Sequence, residues 1–380
     1  MSDKKLAVLG ILAVVMAGWA ILQSRLSQRV NIADFSSAAL IEGLDLGAVA
    51  AIQITSEQGQ TTMTLNRTGN GFVVADKDGY PADIAKINTL INNCLDIRTY
   101  EVITSNPDNH VDLKVTKDTA QYTLEFLDDQ AGVIVGFAMS ETDEDGNAFV
   151  RLLSANPVYS IKNPPRINTA PLDYINKELL RVEKPNIDSV AVRTGDDVYI
   201  LTSPEGSDNV EMDNMPAGKQ FKDTVYESVF GALNYLGFDD VMSVESAPED
   251  LQFESVYTCK LYDETVYKLV LAKKDDKVYT KLSADFMDKT PVEKERHVES
   301  EEVLKEKEAK LLAIDNVTEF NQKHQGWIYA IPSYKADNLM KSLSDVVEDD
   351  PESQSSESVT SDDEIIDTGS MALTDPNAAS

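Results

Sequence analysis

Alternating hydrophobic and polar residues predict short β-strands over most of the chain beyond residue 48. Ile52 and Ile54 alternate with polar neighbours, and Met63 and Leu65 repeat the pattern. Glycine and asparagine separate these segments, as is typical of antiparallel strands joined by tight turns. Further strands are predicted at residues 72–74, 122–126, 133–137, 149–153 and 158–161.

A helix is predicted to begin at Asp83, because aspartate is a favourable N-cap and Pro81 precedes it. Its apolar residues recur at three- and four-residue spacing, which places them on one face that can cover a sheet. These residues are Ile84, Ile87, Ile91, Cys94 and Leu95.

The second half of the chain repeats the order of elements found in the first half. Residues 122–137 (YTLEFLDDQAGVIVGF) resemble residues 257–272 (YTCKLYDETVYKLVLA). AIQIT at Ala51 has a counterpart in SVAVR at Ser189, and PVYSI at Pro157 has one in WIYAI at Trp327. A tandem repeat is favoured over two unrelated β-rich stretches, because both order and spacing agree.

A second helix is predicted at the position that corresponds to the first. It begins near Asp223 or Thr224, and Gly237 is the predicted C-cap. Its apolar stripe comprises Val225, Val229, Leu233 and Leu236.

The second repeat contains a strongly charged insertion at residues 285–320. Glutamate and lysine alternate there at three- and four-residue spacing, for example in VEKERHVESEEVLKEKEAKLL at Val292. This pattern predicts an exposed helix. A solvated helix that covers a sheet edge is favoured over a helix that binds a partner.

These elements predict an α+β protein with two tandem, related modules, each with an antiparallel sheet covered by a helix. No glycine-rich phosphate loop or βαβ pattern is present, which disfavours a nucleotide-binding doubly wound sheet. The predicted segments are a transmembrane anchor at 1–24, a stalk at 25–47, modules at 48–184 and 185–344, and a disordered acidic tail at 345–380.

An uncharged apolar run extends from Leu6 to Leu22, behind Lys4 and Lys5. Its length suits a helix that crosses a bilayer once, and a short lysine-bearing terminus favours export of everything that follows. Two alternatives stay open. The run is either a signal peptide cleaved after Ala20, or a buried helix of a soluble protein.

The chain has 65 acidic and 34 basic residues, for a net charge of −31. This charge argues against nucleic acid as a partner, because phosphates are bound by clustered lysine and arginine. The predicted tail contributes eleven of the acidic residues and contains no lysine or arginine. Its composition is too polar to form a core.

Candidate chemistry is sparse, and no catalytic, cofactor-binding or metal-binding residue is predicted. The segment from Glu141 to Asn147 resembles half of a calcium loop, but Leu152 stands where the last ligand belongs. A hairpin turn is therefore favoured over a weak calcium site. The three histidines are expected in surface or turn positions, and both cysteines in the core. These residues are His110, His297, His324, Cys94 and Cys259.

Several segments resemble the bacterial family called domain of unknown function 4340. The resemblance rests on DFSS at Asp34, the segment GFVVADKDGYPADIAKINTLINNCLDI at Gly71, AFVRLLSANPVYSI at Ala148 and WIYAIPSY at Trp327. It covers roughly Met1 to Val347. Members are often encoded beside a gliding-motility-type ABC transporter permease and its auxiliary protein.

The resemblance implies an envelope accessory role. Together with the apolar run and the absence of a catalytic motif, this role predicts a non-enzymatic accessory protein in the bacterial inner membrane, with its bulk in the periplasm. Its expected partners are then the membrane, through the run from Leu6 to Leu22, and an ABC transporter permease or auxiliary subunit. A structural scaffold or binding module of cell-wall or secretion machinery is the first alternative. A carboxylate-based hydrolase is the second, but 65 acidic residues single out no pair.

Overall fold

The computed structural model describes residues 37–351, except 57, 58, 60, 70, 208 and 294–298. The predicted anchor at 1–24 and residues 352–380 of the predicted tail lie outside the described residues. Among the residues that are described, no helix is both long and apolar enough to cross a membrane.

The chain divides into two compact units, of which the first ends at Ile175 and the second begins at Asn176. The predicted boundary lay at Lys184–Asn186, a short 3-10 helix in the structure. The segment before this helix belongs to the second unit because Glu178–Leu180 pairs with Leu236–Gly237.

Both units are mixed α+β structures built on antiparallel sheets, which confirms the predicted fold class at this level. In the first unit, nine strands form one sheet in the order β5-β4-β3-β2-β8-β9-β10-β11-β7, and β1 pairs with β6. The strands are β1 (Ala38–Ala39), β2 (Ala51–Ser56), β3 (Thr61–Thr68), β4 (Gly71–Val74), β5 (Tyr80–Pro81), β6 (Arg98–Thr99), β7 (Val102–Thr104), β8 (Tyr122–Leu127), β9 (Val133–Met139), β10 (Asn147–Leu152) and β11 (Val158–Lys162).

The predicted alternation determines which face of the first sheet is buried. Ile52 lies opposite Leu65 on β3 and Phe126 on β8, and all three side chains are fully buried. Ile54 and Met63 form the next buried pair along the same ladder. Because side chains alternate across a strand, the polar residues between them point to the other face.

Helix α1 (Ile84–Leu95) begins where the sequence predicts. The Asp83 carboxylate accepts hydrogen bonds from the backbone N–H groups of Ala85 and Lys86. The buried face differs slightly from the predicted stripe, since Leu90 is buried and Ile84 is 61% exposed. Ile84 is the first residue of the helix, where the apolar stripe begins. Short 3-10 helices elsewhere in this unit span Ala75–Lys77, Pro107–Asn109 and Pro171–Tyr174.

The stalk predicted at 25–47 is wrong for its second half. Ala38–Ala39 pairs with Arg98–Thr99, and the Leu40 amide donates to the Ile97 carbonyl at 2.9 Å. Leu40 and Ile41 are buried. Burial of their apolar surface stabilises this packed conformation over an extended stalk, in which both side chains would be exposed to water.

In the second unit, eight strands form one sheet in the order β15-β14-β13-β19-β20-β21-β22-β18. Two short pairs, β12 with β17 and β16 with β23, complete it. The strands are β12 (Glu178–Leu180), β13 (Ile187–Thr194), β14 (Asp197–Thr202), β15 (Glu211–Asp213), β16 (Lys219–Phe221), β17 (Leu236–Gly237), β18 (Asp240–Ser243), β19 (Ser255–Leu261), β20 (Thr265–Lys274), β21 (Lys277–Phe286), β22 (Trp327–Ile331) and β23 (Val347–Asp349).

The two large sheets have corresponding strand orders. In each, the unit's first long strand, β2 or β13, pairs on one side with the next strand in sequence. On its other side it pairs with a strand that follows the helix, β8 or β19. The second strand after the helix, β7 or β18, lies at the far edge of the sheet.

Helix α2 (Val225–Phe230) begins after Thr224, as predicted, but it is shorter than the predicted helix. Gly231 is its C-cap, and the predicted C-cap Gly237 lies in β17. Leu236 pairs with Leu180 there, so a tertiary strand pair replaces the last helical turns.

The charged insertion forms helix α3 (Glu301–His324), capped by the Ser300 hydroxyl. Its buried residues Ala313 and Val317 pack beside Ala284 and Phe286 of β21. Strand β22 pairs with β21 only at Val278–Thr280, so α3 covers the part of the β21 edge that lies beyond. The remaining helices are α4 (Ser333–Leu339) and α5 (Leu343–Val346).

The predicted start of the acidic tail at Asp345 is too early. Asp345 accepts from the backbone N–H of Ser342 in a capping box, and Val346 is buried. Val347–Asp349 then pairs with β16. Val346 and Val347 are both buried and supply apolar surface that stabilises this stretch. The polar composition of residues 345–380 as a whole does not reveal these two residues.

Asn321 of α3 occupies the place of a strand neighbour on the part of the β21 edge that lies beyond β22. Its amide accepts from the Ala284 N–H and donates to the Ala284 carbonyl, both at 2.8 Å. Asn321→Ala leaves both backbone groups unpaired in a partly buried site, so we expect the free energy of unfolding to fall by about 1–3 kcal/mol. Asn316→Ala, at an exposed position of the same helix, is the matched control. Urea denaturation measures both, and equal losses would contradict this role.

His324 lies in a buried aromatic cluster at the end of α3. Its Nδ1 atom is 2.8 Å from the Tyr329 hydroxyl and its ring centroid is 4.4 Å from that of Phe320. Its Nε2 atom has no hydrogen-bond partner among the described residues. Burial first, and then the charge of Lys323, lower its pKa from 6.5 to about 4.

The unfolded chain therefore takes up the His324 proton more readily than the folded chain. This histidine's contribution to stability is complete above pH 6.5 and is lost as the pH falls through about 4. We expect a loss of up to about 3 kcal/mol in the free energy of unfolding, at about 1.4 kcal/mol per unit of pKa shift. Urea denaturation between pH 7.5 and 4 measures the free energy of unfolding of the wild type and of His324→Asn. The difference between the two should change with pH. A difference that does not change with pH would contradict the assignment.

Candidate functional site

A groove beside helix α1 contains the candidate site. It consists of two adjoining depressions that share Asn93, with volumes of about 210 and 260 Å³. One wall is the helix and the residues just after it, and the other wall is the chain segment 161–168 together with Tyr174. We call the two depressions together the cation groove, because each is lined by two basic side chains. These are Lys86 and Arg166 in the first depression, and Arg98 and Lys162 in the second.

The buried stripe of α1 sets the orientation of the helical wall. Ile87, Ile91 and Cys94 face the core, which fixes the rotation of the helix about its axis. Lys86 and Asn93 are seven residues apart and share a neighbouring face, since residues at this spacing lie one above the other. That face forms the groove wall.

The opposite wall begins where β11 ends. Asn163 has a positive φ of 50°, and the two prolines that follow have no N–H groups to continue a strand ladder. Two tyrosine hydroxyls hold this segment: Tyr122 donates to the Pro165 carbonyl at 2.9 Å, and Tyr174 donates to the Asn168 carbonyl at 2.8 Å. Burial raises the pKa of both tyrosines, so both hydroxyls stay protonated at neutral pH.

The four basic side chains of the groove make no ion pair with a carboxylate among the described residues. Lys86 Nζ donates to the Ile175 carbonyl at 2.7 Å, and Lys162 Nζ lies 5.4 Å from the centre of the Tyr100 ring. Elsewhere in this unit Lys114 and Lys117 are paired with Glu141 and Glu125, each at 2.8 Å. The cation groove is therefore a local positive surface on an acidic chain, and it can attract an anionic ligand.

A larger cleft, of about 470 Å³, lies in the second unit beside α3. Its basic side chains already have partners. Lys310 contacts Asp288 and donates to the carbonyl and hydroxyl of Thr290 at 2.6 Å, and Lys307 contacts Glu299. The hydrogen bond from Lys310 lowers the pKa of Asp288, so this carboxylate stays ionised and is unsuited to act as a general acid. The cation groove is the stronger candidate because its charges are not neutralised.

The segment that resembles a calcium loop forms the hairpin turn between β9 and β10. Asp143 Oδ1 accepts from the backbone N–H groups of Asp145, at 3.0 Å, and Asn147, at 2.7 Å. Within the described part of the chain, no three or more histidine, cysteine, aspartate or glutamate side chains come together as metal ligands would.

Two histidines are more buried than the sequence predicts. His110 lies in a turn, but it is buried and its Nε2 atom is 2.8 Å from the Asn156 carbonyl. His324 ends α3 inside the aromatic cluster, so its predicted surface or turn position is wrong. The prediction considered histidine only as a titratable polar group. The neutral imidazole ring can also pack in the core as an aromatic side chain does. His297 lies outside the described residues.

Both cysteines are buried free thiols, as predicted. Burial raises the pKa of each thiol to about 12, so both are protonated at neutral pH. A protonated buried thiol is a poor nucleophile and behaves as a small apolar side chain.

The cation groove is not predicted by any pattern in the sequence. Its residues are scattered from position 85 to position 174, and no spacing along the chain marks them as neighbours. One local signal was present. Lys162 and Arg166 flank Asn163, Pro164 and Pro165 in a chain that is poor in basic residues.

A protein-family model described as "Domain of unknown function (DUF4340)" matches residues 73–256. This match confirms the resemblance that the sequence motifs indicate, and it contains all four basic residues of the cation groove. No curated protein and no solved structure matches the chain.

The hairpin at Asp143 should not bind calcium at micromolar concentrations. One of its carboxylate oxygens already accepts two backbone hydrogen bonds, and Glu141 is paired with Lys114. Calcium titration of the full chain by calorimetry should give no micromolar binding that depends on this loop. Micromolar binding that is lost in Asp143→Ala but kept in Asp108→Ala would contradict this interpretation.

Proposed function

We propose that the chain is a non-enzymatic accessory protein of an ABC-type transport or envelope complex. In this proposal the run from Leu6 to Leu22 crosses the bacterial inner membrane once, and the two sheet units lie in the periplasm. A permease or an auxiliary subunit of the transporter is the proposed partner.

The observation that carries this proposal is the uncharged run of 17 residues behind Lys4 and Lys5. At about 1.5 Å per residue, such a helix spans most of a hydrocarbon core about 30 Å thick. The flanking lysines favour a cytoplasmic N-terminus, which exports the rest of the chain. The match to domain of unknown function 4340 supports an envelope role only through the gene neighbourhood that the family resemblance implies, beside ABC transporter genes.

The corresponding strand orders support the finer fold that we propose. The two units are tandem copies of one module, in which a helix covers one face of an antiparallel sheet.

The cation groove favours a second candidate function. A scaffold or binding module of cell-wall or secretion machinery would also need an exposed site with unneutralised charge. The two functions share the anchor and differ in the partner.

Membrane fractionation tests the anchor. The full chain should stay in the membrane pellet after alkaline carbonate extraction and keep its N-terminal residues in intact-mass analysis. Val14→Arg, in the middle of the apolar run, should release part of the protein, whereas Ser27→Arg outside the run should not. A soluble chain that begins at Ile21 would identify a cleaved signal peptide and contradict the anchor.

Affinity purification in mild detergent tests the partner. A tagged full chain should recover a transporter permease or auxiliary subunit from its native cells. Recovery of cell-wall or secretion components instead would favour the second function. Recovery of none of these would contradict both.

A further inference from the structure

We propose that the cation groove binds an extended acidic segment of a partner protein. The inference rests on the proposed role in binding other proteins, and it adds the chemistry of the segment that is recognised. Four observations carry it: the charge of the groove, its length, the amide side chains that line it and the apolar surfaces beside them.

The charge of the groove selects an anion. Three of its four basic side chains, those of Arg98, Lys162 and Arg166, are exposed, and none of the four pairs with a described carboxylate. Partner carboxylates can therefore form new ion pairs without breaking existing ones. Each such pair at a solvated surface contributes modestly, so several must act together.

The length of the groove selects an extended ligand. From Lys86 to Arg98 the wall follows α1 and the residues just beyond it, and a helix rises about 1.5 Å per residue. Lys86 and Arg98, one basic residue from each depression, are thus about 15–20 Å apart along this wall. An extended chain advances about 3.3 Å per residue, so five or six residues reach from one to the other. A single phosphate or carboxylate ion would reach only one.

The amide side chains of the groove favour a peptide over other linear anions. Asn93, Asn163 and Asn168 line it, and their side chains form no hydrogen bond with the described residues. An amide both donates and accepts, which matches the N–H and C=O groups of a peptide backbone. A polyphosphate offers acceptors alone, so half of this capacity would be unused.

The apolar surfaces suit a protein segment as well. The Tyr100 ring and Pro164 and Pro165 line the second depression. The methylene groups of glutamate can pack there while the carboxylates reach the basic side chains.

One carboxylate inside the groove allows a test in which a substitution should strengthen binding instead of weakening it. Asp96 lines the second depression beside Arg98. It repels an acidic ligand, so Asp96→Asn should tighten binding, by roughly two-fold or more.

Fluorescence anisotropy with a labelled hexaglutamate peptide tests the proposal on the full chain in detergent micelles. Binding should be saturable at about 20 mM salt and weaker at about 150 mM, since salt screens exposed charges. Labelled hexaglutamine should bind at least ten-fold more weakly. Unlabelled polyphosphate and inorganic phosphate serve as competitors.

Charge-neutralising variants locate the binding site. Each lost ion pair should weaken peptide binding roughly two- to five-fold, so Arg98→Gln with Lys162→Gln should weaken it about four- to 25-fold. Arg166→Gln should weaken it two- to five-fold. Lys273→Gln with Lys277→Gln, at exposed positions on the β20–β21 hairpin, makes the same change in net charge and should have no effect.

Three results would overturn the inference: no saturable peptide binding, equal losses in the groove variants and the hairpin control, or weaker binding in Asp96→Asn. Competition by polyphosphate at concentrations lower than those of the peptide would identify a different class of ligand and would overturn it too. Membrane retention and recovery of transporter subunits are measured separately. The proposed function can therefore be confirmed while peptide binding to the cation groove is not found. Conversely, the groove can bind the peptide while the proposed function is contradicted.

Discussion

Each unit is held together by an antiparallel ladder between two strands that are far apart in sequence. In the first unit six residues of β2 pair with six of β8, and in the second β13 pairs with β19 over a similar length. These ladders join the hairpins on either side of the helix into one sheet with one buried face. Because the chain must close a long loop before they form, they depend on buried partners such as Ile52 and Phe126 rather than on local preference.

The ladder also determines where the candidate site lies. Tyr122 stands at the start of β8, and its hydroxyl holds the Pro165 carbonyl on the groove wall. Tyr257, the residue aligned with it in the repeat, lies in β19 and donates to the Val229 carbonyl of α2 at 2.8 Å. One buried tyrosine position therefore supports a loop in one unit and a helix in the other. This is one way in which two related sheets carry different surfaces.

Local rules predicted the elements that depend on local structure. Alternation identified strands such as β2 and β3, and the Asp83 cap identified the start of α1. The errors come from tertiary contacts. Leu236 pairs with a distant strand instead of extending α2, and Val347 pairs with β16 instead of joining a tail. The cation groove could not be predicted from the sequence, because its four basic residues are far apart along the chain and only the fold brings them together. The net charge of −31 describes the whole chain and does not reveal a local positive surface.

Photo-crosslinking in the native cells tests the central claim, that the cation groove holds an acidic segment of a partner, most directly. A photoreactive residue at position 93 lies where the two depressions meet, and one at exposed position 316 is the control. The account predicts a crosslink from position 93 alone, mapped by mass spectrometry to a stretch of the partner rich in aspartate and glutamate. Equal crosslinking from both positions, or a crosslink to a stretch without acidic residues, would contradict it.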